Sequence, residues 1–296
     1  MSIVAIVNPM SGAGMDRTIA GLRVAMIRDE LRGRGLHADI HLTERAGHAR
    51  ELARAAVAAD ADLVIVWGGD GTVNEVGSSL VGTDIPLGLI PAGSGNGLAG
   101  ALGIPREPRA ALTTLLGERM LTVDVGMLDD RPFFNVAGIG FDAHIARLFN
   151  ARARGRRGRL PYVVLGVREG CFYAGQDYRI TLDGESGGAP HRALLIAFAN
   201  GREYGMGMQI APGAKLDDGL LEACIVEDRP VLSRFLHARH LPLGAIERVP
   251  KIIMRPVREA IVESDGEIEF HVDGEPGVAD RRVEVSVKPA SLRVKV

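Results

Sequence analysis

Asp62-Leu63-Val64-Ile65-Val66-Trp67-Gly68-Gly69-Asp70-Gly71-Thr72-Val73-Asn74-Glu75 is the stretch on which the fold turns. Its first half is a continuous apolar run, the pattern of a strand covered on both faces of a parallel sheet. Gly68 and Gly69 let the chain leave that strand tightly, and a helix expected from about Val73 to Val81 then offers the positive end of its dipole. Backbone N–H groups in such a turn suit an anion, a phosphate above all. An Asp-Gly turn with Thr72 as helix cap would look the same in isolation. The position between a buried strand and a helix favours the phosphate reading, and there Asp70 suits a direct or water-mediated ligand of nucleotide-bound Mg²⁺.

On either side the same rhythm repeats. Strands are expected at Ile3–Val7, His37–Leu42 and Leu87–Ile90, with helices from a cap at Asp16 to about Gly33 and from Ala46 to Ala59. This order predicts an open, mainly parallel α/β sheet whose ligands gather at the carboxyl ends of the strands. Polar turns fall at those ends: Asn8-Pro9-Met10-Ser11-Gly12-Ala13-Gly14 after the first strand, Thr43 after the second, and Pro91-Ala92-Gly93-Ser94-Gly95-Asn96-Gly97 after the fourth. Ser94 suits a phosphate oxygen, with Gly93, Gly95 and Gly97 keeping backbone close to it. The spacing is neither a dinucleotide fingerprint nor a GxxxxGK[ST] loop. From Ile85 to Pro105 no residue is charged, but three prolines and six glycines in that stretch exclude a spanning helix.

Beyond about Leu121 short strand patterns follow one another through turns, interrupted by helical patterns at Asp142–Asn150, Leu160–Phe172 and Val231–His240. Strands are expected at Leu121–Val125, Phe133–Val136, Tyr178–Leu182, Ala193–Ala199, Leu220–Val226, Lys251–Arg255, Glu267–Val272 and Val283–Val287. The prediction is therefore an α/β N-terminal domain over residues 1–123 and a β-rich, mostly antiparallel domain with inserted helices over 124–296. The last strand is free to return to the first domain, and the two are expected to meet around a cleft.

A net charge of -2 over 296 residues argues against nucleic acid as a partner. Cys171 and Cys224 lack metal-ligand spacing and are expected to be buried thiols in a reducing compartment, and no basic region precedes the first apolar run. A cytoplasmic protein is expected. The eight histidines show no ligand spacing, and Trp67 suits core packing rather than base stacking. Arg147, Arg152, Arg154, Arg156, Arg157 and Arg159 crowd a stretch without acidic residues. Two readings stand there: a solvated loop, or peripheral docking on anionic headgroups at the inner membrane face.

Taken together, Asn8-Pro9-x-Ser11-Gly12, Gly68-Gly69-Asp70-Gly71-Thr72-x-Asn74-Glu75-Val76, Pro91-x-Gly93-Ser94-x-Asn96, Val123-Asp124-Val125-Gly126, Asn135-x-x-x-x-Gly140-Phe141-Asp142, Asp217-Asp218-Gly219-x-Leu221 and Asp273-Gly274-Glu275 run in order along nearly the whole chain. In this the sequence resembles the diacylglycerol kinase catalytic-domain superfamily, which includes bacterial lipid kinases, sphingosine kinases and ceramide kinases. The resemblance implies ATP bound between the α/β N-terminal domain and a β-rich lipid-binding domain, and a lipid hydroxyl phosphorylated at a membrane surface. Asn8, Ser11, Thr43, Gly68, Gly69, Asp70, Gly71, Thr72, Val73, Asn74 and Ser94 would contact the nucleotide. Glu275 would be the general base, joined by Asp70 as a catalytic carboxylate, and a structural Mg²⁺ would sit on Asp218 with the carbonyls of Lys215 and Leu220. A homodimer is compatible with the resemblance. Asn96-Gly97 departs from the Asn-Asp usual in diacylglycerol-type members and is closer to the sphingoid-base variant. An NAD kinase, which shares Gly-Gly-Asp-Gly, and a lipid-binding protein without catalysis are the alternatives.

Overall fold

Strand β1 (Ile3–Val7) opens the chain, followed by α1 (Arg17–Arg32), β2 (Ala38–Leu42), α2 (His48–Ala58), β3 (Leu63–Gly68), α3 (Asp70–Leu80), β4 (Leu87–Pro91), α4 (Gly97–Ala101) and α5 (Pro108–Leu115). The computed structural model describes residues 1–12, 17–151, 159–204, 208–238, 240 and 243–296. The chain divides into two units, Met1–Val123 with Ala290–Val296, and Asp124–Pro289. The cap expected at Asp16, the glycine turn at Ala13-Gly14, and Arg152, Arg154, Arg156 and Arg157 lie outside the described residues.

In the first unit the strands run parallel in the order β2-β1-β3-β4. Every residue of β3 is buried, as its unbroken apolar run requires. Because β1 lies between β2 and β3, the connections leave it in opposite directions, and a switch point forms at the carboxyl ends of β1 and β3. Val7 pairs with Trp67 and Gly68 with Pro91, so the turns after these strands start level with one another. Helix α3 begins at Asp70 rather than at Val73: Gly69 is the extended cap residue, and Asp70, Gly71 and Thr72 form the first turn.

The second unit takes up most of β5 (Met120–Leu128), then β6 (Arg131–Phe133), β7 (Val136–Gly140), α6 (Phe141–Ala151), α7 (Arg159–Gly170), β8 (Gln176–Leu182), β9 (Glu185–Ser186), β10 (His191–Ala199), β11 (Leu221–Glu227), α8 (Val231–Ala238), β12 (Ile252–Val257), β13 (Glu259–Ser264), β14 (Ile268–Val272), β15 (Glu275–Ala279) and most of β16 (Arg282–Lys295). Its main path, β15-β14-β7-β10-β8-β13-β16, is antiparallel throughout. Phe133, Tyr178, Phe198 and Phe270 fill its core. The single strand expected at Phe133–Val136 is two, parted where the N–H groups of Phe134, Asn135 and Val136 donate to the Asp273 carboxylate instead of to a ladder. Strands β13 and β15 were not expected from the sequence. Among the described residues no helix is long and apolar enough to cross a membrane.

Candidate active site

The predicted site residues fall into two sets, one in each unit. In the first unit the parallel sheet gathers the turns after β1, β3 and β4. Asn8 Nδ2 donates to Thr72 Oγ1 at 2.8 Å, tying the first turn to the start of α3. A Cβ on Gly68 would stand 2.6 Å from that of Thr72, so glycine here is a steric necessity. Gly69 and Gly93 pack backbone on backbone, and a Cβ on Gly93 would lie 2.8 Å from the Gly69 Cα.

Asp70 fastens the two glycine loops. Its Oδ2 accepts the Asn96 N–H at 2.8 Å and its Oδ1 the Gly97 N–H at 2.7 Å. Asn96, held at φ 58, closes its own loop by accepting from Gly93 N–H and donating to Gly93 C=O, both at 2.7 Å. Gly95 is small for the same reason: its Cβ would meet Asp70 Oδ2 at 2.7 Å. The glycines of the second loop thus keep backbone close to Asp70 and to Gly69. The carboxylate still has acceptor capacity on each oxygen, which suits a water-mediated Mg²⁺ contact better than direct ligation.

The remaining members are placed as follows. Thr43 is half-buried and its N–H donates to Val7 C=O at 3.0 Å, beside the first turn. Gly71 sits in the first turn of α3, and Val73 makes the first intrahelical bond, to Gly69 C=O. Asn74 is buried, its Oδ1 and C=O both facing the Ser78 hydroxyl. Ser11 is buried, its hydroxyl donating to Asn8 C=O at 2.9 Å. Ser94 is exposed at the tip of the second loop, and among the described residues no hydrogen bond holds its hydroxyl. The N–H groups of Asp70, Gly71 and Thr72 have no intrahelical acceptor, since the first such bond is that of Val73, and with the helix dipole they give this turn the chemistry that suits an anion.

One residue of this region, Arg23, carried no sequence signal, and Glu75, part of the quoted motif, had no role assigned from the sequence. Arg23, from α1, donates to Asn8 C=O at 2.7 Å, to Ser11 Oγ at 2.9 Å and to Ser11 C=O at 2.6 Å. Its guanidinium lies 5.5 Å from the centre of the Trp67 ring, and burial lowers its pKa. Glu75 caps α2 by accepting the N–H groups of Gly47 at 2.9 Å and Ala49 at 3.1 Å. Arg23 left no signal, because its partners lie on other elements of the fold.

In the second unit Glu275 is the exposed first residue of β15, after a turn in which Asp273 and Gly274 both have positive φ, 48 and 84. That is the backbone of a two-residue type I′ hairpin, which the Asp-Gly pair favours. Asp273 is not free to act as a base in this geometry: its carboxylate accepts three backbone N–H groups at 2.9, 2.9 and 3.2 Å. Elsewhere in the unit, Asp218 is exposed and its Oδ1 accepts the Leu220 N–H at 3.2 Å. Gly219 N–H donates to the buried Asp124 carboxylate at 2.6 Å, pinning the turn that carries Lys215, Asp218 and Leu220. One exposed carboxylate with two main-chain carbonyls is an all-oxygen donor set, which fits a hard cation such as Mg²⁺.

The chain is similar to known proteins along nearly its whole length. A family model described as the diacylglycerol kinase catalytic domain matches residues 2–128. A second, described as the YegS C-terminal NAD kinase beta sandwich-like domain, matches residues 135–296. A protein of Mycobacterium tuberculosis (strain H37Rv) named "Diacylglycerol kinase" is 33% identical over 99% of this chain and 94% of its own length. One of Chromohalobacter salexigens, named "Probable lipid kinase YegS-like", is 35% identical over 83% of this chain and 80% of its own. The crystal structure of a diacylglycerol kinase from Bacillus anthracis str. Sterne has the same fold, with a TM-score of 0.74 at 21% identity over 99% of this chain and 96% of that one.

Proposed function

The chain belongs to the diacylglycerol kinase catalytic-domain family, a family of phosphotransferases that use ATP, and from that premise we propose that it transfers the γ-phosphate of ATP to the hydroxyl of a diacylglycerol or sphingoid-base-like lipid, with Glu275 as general base. The observation that supports the reading is the gathering of three polar, glycine-bearing turns at one sheet edge of the first unit, locked together by Asp70; the second unit offers an exposed carboxylate at a hairpin. Asn8, Ser11, Thr43, the Gly68–Asn74 segment and Ser94 bind the nucleotide. Glu275 takes the proton from the lipid hydroxyl; the oxygen of that hydroxyl bonds to the γ-phosphorus, the bond from that phosphorus to the β,γ-bridging oxygen breaks, and ADP leaves. Mg²⁺, held by Asp70 through water, would neutralise phosphate charge, and a structural Mg²⁺ would sit on Lys215, Asp218 and Leu220.

Access to lipid is supported by apolar side chains left in solvent on the second unit. Val164 and Val167 of α7, Phe172 just beyond it at 84% exposure, and Leu232 and Leu236 of α8 are all exposed. Arg234 Nη1 donates to Gly170 C=O at 3.0 Å and Tyr173 C=O at 2.7 Å, fastening α8 to the end of α7. Arg168 stands beside them, 68% exposed. Arg147, of the basic run, instead meets Glu269 at 3.1 Å. Docking on an anionic bilayer therefore draws on the α7–α8 region as well as on that run.

A second reading has one observation in its favour, the NAD kinase-like description of the matched C-terminal model. Radiolabelled phosphate transfer from ATP to diacylglycerol, sphingosine, phosphatidylglycerol and NAD separates the two. Transfer to diacylglycerol or sphingosine is expected; transfer to NAD alone overturns the assignment, and transfer to none favours a lipid-binding protein. Glu275→Gln should keep nucleotide affinity and lose turnover.

A further inference from the structure

We propose that His271 is a positioning residue for Glu275, acting as the neutral imidazole with its proton on Nε2 and holding the hairpin turn through its Nδ1 lone pair. This rests on the reading of Glu275 as the base. His271, on β14, is 5% exposed. Gly274 N–H donates to His271 Nδ1 at 3.2 Å, so that nitrogen must present a lone pair. The proton of the neutral ring is then on Nε2, which faces Asp142 Oδ2 at 3.4 Å.

Asp142 is 6% exposed at the start of α6 and is itself held. Its Oδ2 also accepts the Tyr204 O–H at 2.9 Å, and its Oδ1 accepts the Ala143 N–H at 2.9 Å. Every contact asks Asp142 for an acceptor, which fixes the ring's orientation from the far side. The cluster exists because the residue paired with His271 on β7 is Gly138. A Cβ there would overlap Asp142 Oδ2 and lie 2.6 Å from His271 Nε2. The other end of α6 holds the same turn, Asn150 Nδ2 donating to Gly274 C=O at 3.0 Å. Gly274 is thus gripped on both its N–H and its C=O, and the next residue is Glu275. His271 acts through the turn, and its contribution is the direction in which Glu275 leaves the strand.

Three substitutions separate the two nitrogens. His271→Asn leaves an amide oxygen where Nδ1 stood, His271→Gln puts an amide where Nε2 stood, and His271→Leu supplies neither. With ATP and the best acceptor of the panel in detergent micelles, kcat should fall least for Asn and most for Leu. The Leu variant should lose on the order of 100-fold, the scale of a misplaced catalytic group, with the KM for ATP unmoved. Added to Glu275→Gln, His271→Leu should remove nothing more. Equal losses for Asn and Leu, or a loss that multiplies that of Glu275→Gln, overturns the role of His271. Nitrogen-15 NMR of the unsubstituted protein needs no substrate: a proton on Nε2 is expected, and a proton on Nδ1 refutes the positioning role even if every variant fails to fold. Wild-type turnover by Glu275→Gln would remove Glu275 as base and the positioning role with it, a result distinct from the failures that remove His271 alone.

Discussion

Asp70→Asn exchanges one carboxylate oxygen for an amide nitrogen and removes the charge, with almost no change in volume. In the native protein the two oxygens accept the backbone N–H groups of Asn96 at 2.8 Å and Gly97 at 2.7 Å. Whichever way the new amide turns, one of those buried N–H groups faces a donor. A hydrogen bond to a charged group contributes about 1.5–3 kcal/mol and a neutral one about 1 kcal/mol, so losing one bond and weakening the other destabilises by about 2–4 kcal/mol. For a urea slope of about 2 kcal/mol/M, the unfolding midpoint falls by about 1–2 M. Trp67 is the only tryptophan in the chain and lies on β3, so its fluorescence reports the unfolding of the unit concerned. The measurement is made with no nucleotide and no divalent ion. If Asp70 served only as a Mg²⁺ ligand, the midpoint in the absence of metal would not move, and a midpoint equal to that of the unsubstituted protein refutes the fastening role.

Three further outcomes are expected. Gly93→Ala drives a methyl to 2.8 Å from Gly69 Cα, where backbone cannot yield cheaply; calorimetric titration should show ATP-Mg²⁺ affinity reduced at least tenfold, a loss of about 1.4 kcal/mol. Phe172→Ser with Leu232→Ser removes two side chains that are 84% and 74% exposed; if they insert among lipid chains at about 1.5–3 kcal/mol each, the partition coefficient onto phosphatidylglycerol vesicles, read by flotation, should fall by at least about 100-fold, and unchanged flotation dismisses the α7–α8 surface. Burial pushes the Cys224 thiol up to about 12, while Cys171, against the expectation of two buried thiols, is exposed just beyond α7; mass spectrometry after iodoacetamide at pH 8 should find one modified thiol in the folded protein and two after denaturation.

Much of the first unit was legible because its signals are local. An unbroken apolar run, a glycine pair and a helical pattern follow one another between Asp62 and Leu80, and that order alone places the turn at a sheet edge. What the sequence could not convey was the origin of the helix, because the contacts of Asp70 reach residues 26 and 27 positions away. Trp67 is buried, in keeping with the expected core packing, and its guanidinium neighbour comes from α1. In the second unit β13 was hidden because glutamates stand at Glu259 and Glu263, and β15 because Pro276 and Gly277 interrupt it. Glu275 itself was found only by resemblance, since an Asp-Gly-Glu turn has no local chemistry that separates it from any other hairpin. His271 was passed over for lack of a ligand spacing, and its partners Asp142 and Gly274 come from a helix 129 residues earlier and a turn three residues later.

Residues 290–296 belong to the first unit although the whole of the second precedes them in the chain. Val294 pairs with Leu87, Gly82 N–H donates to Ser291 C=O, and Lys295 Nζ reaches Gly117 C=O. During translation, therefore, β4 emerges with one edge bare and waits while the ribosome makes the intervening residues 124–289. At about 5–20 residues per second that interval is on the order of ten seconds, long enough for a nascent strand edge to meet chaperones or other chains. Biogenesis of this protein is thus not a matter of one half folding and then the other: its beginning is completed by its end.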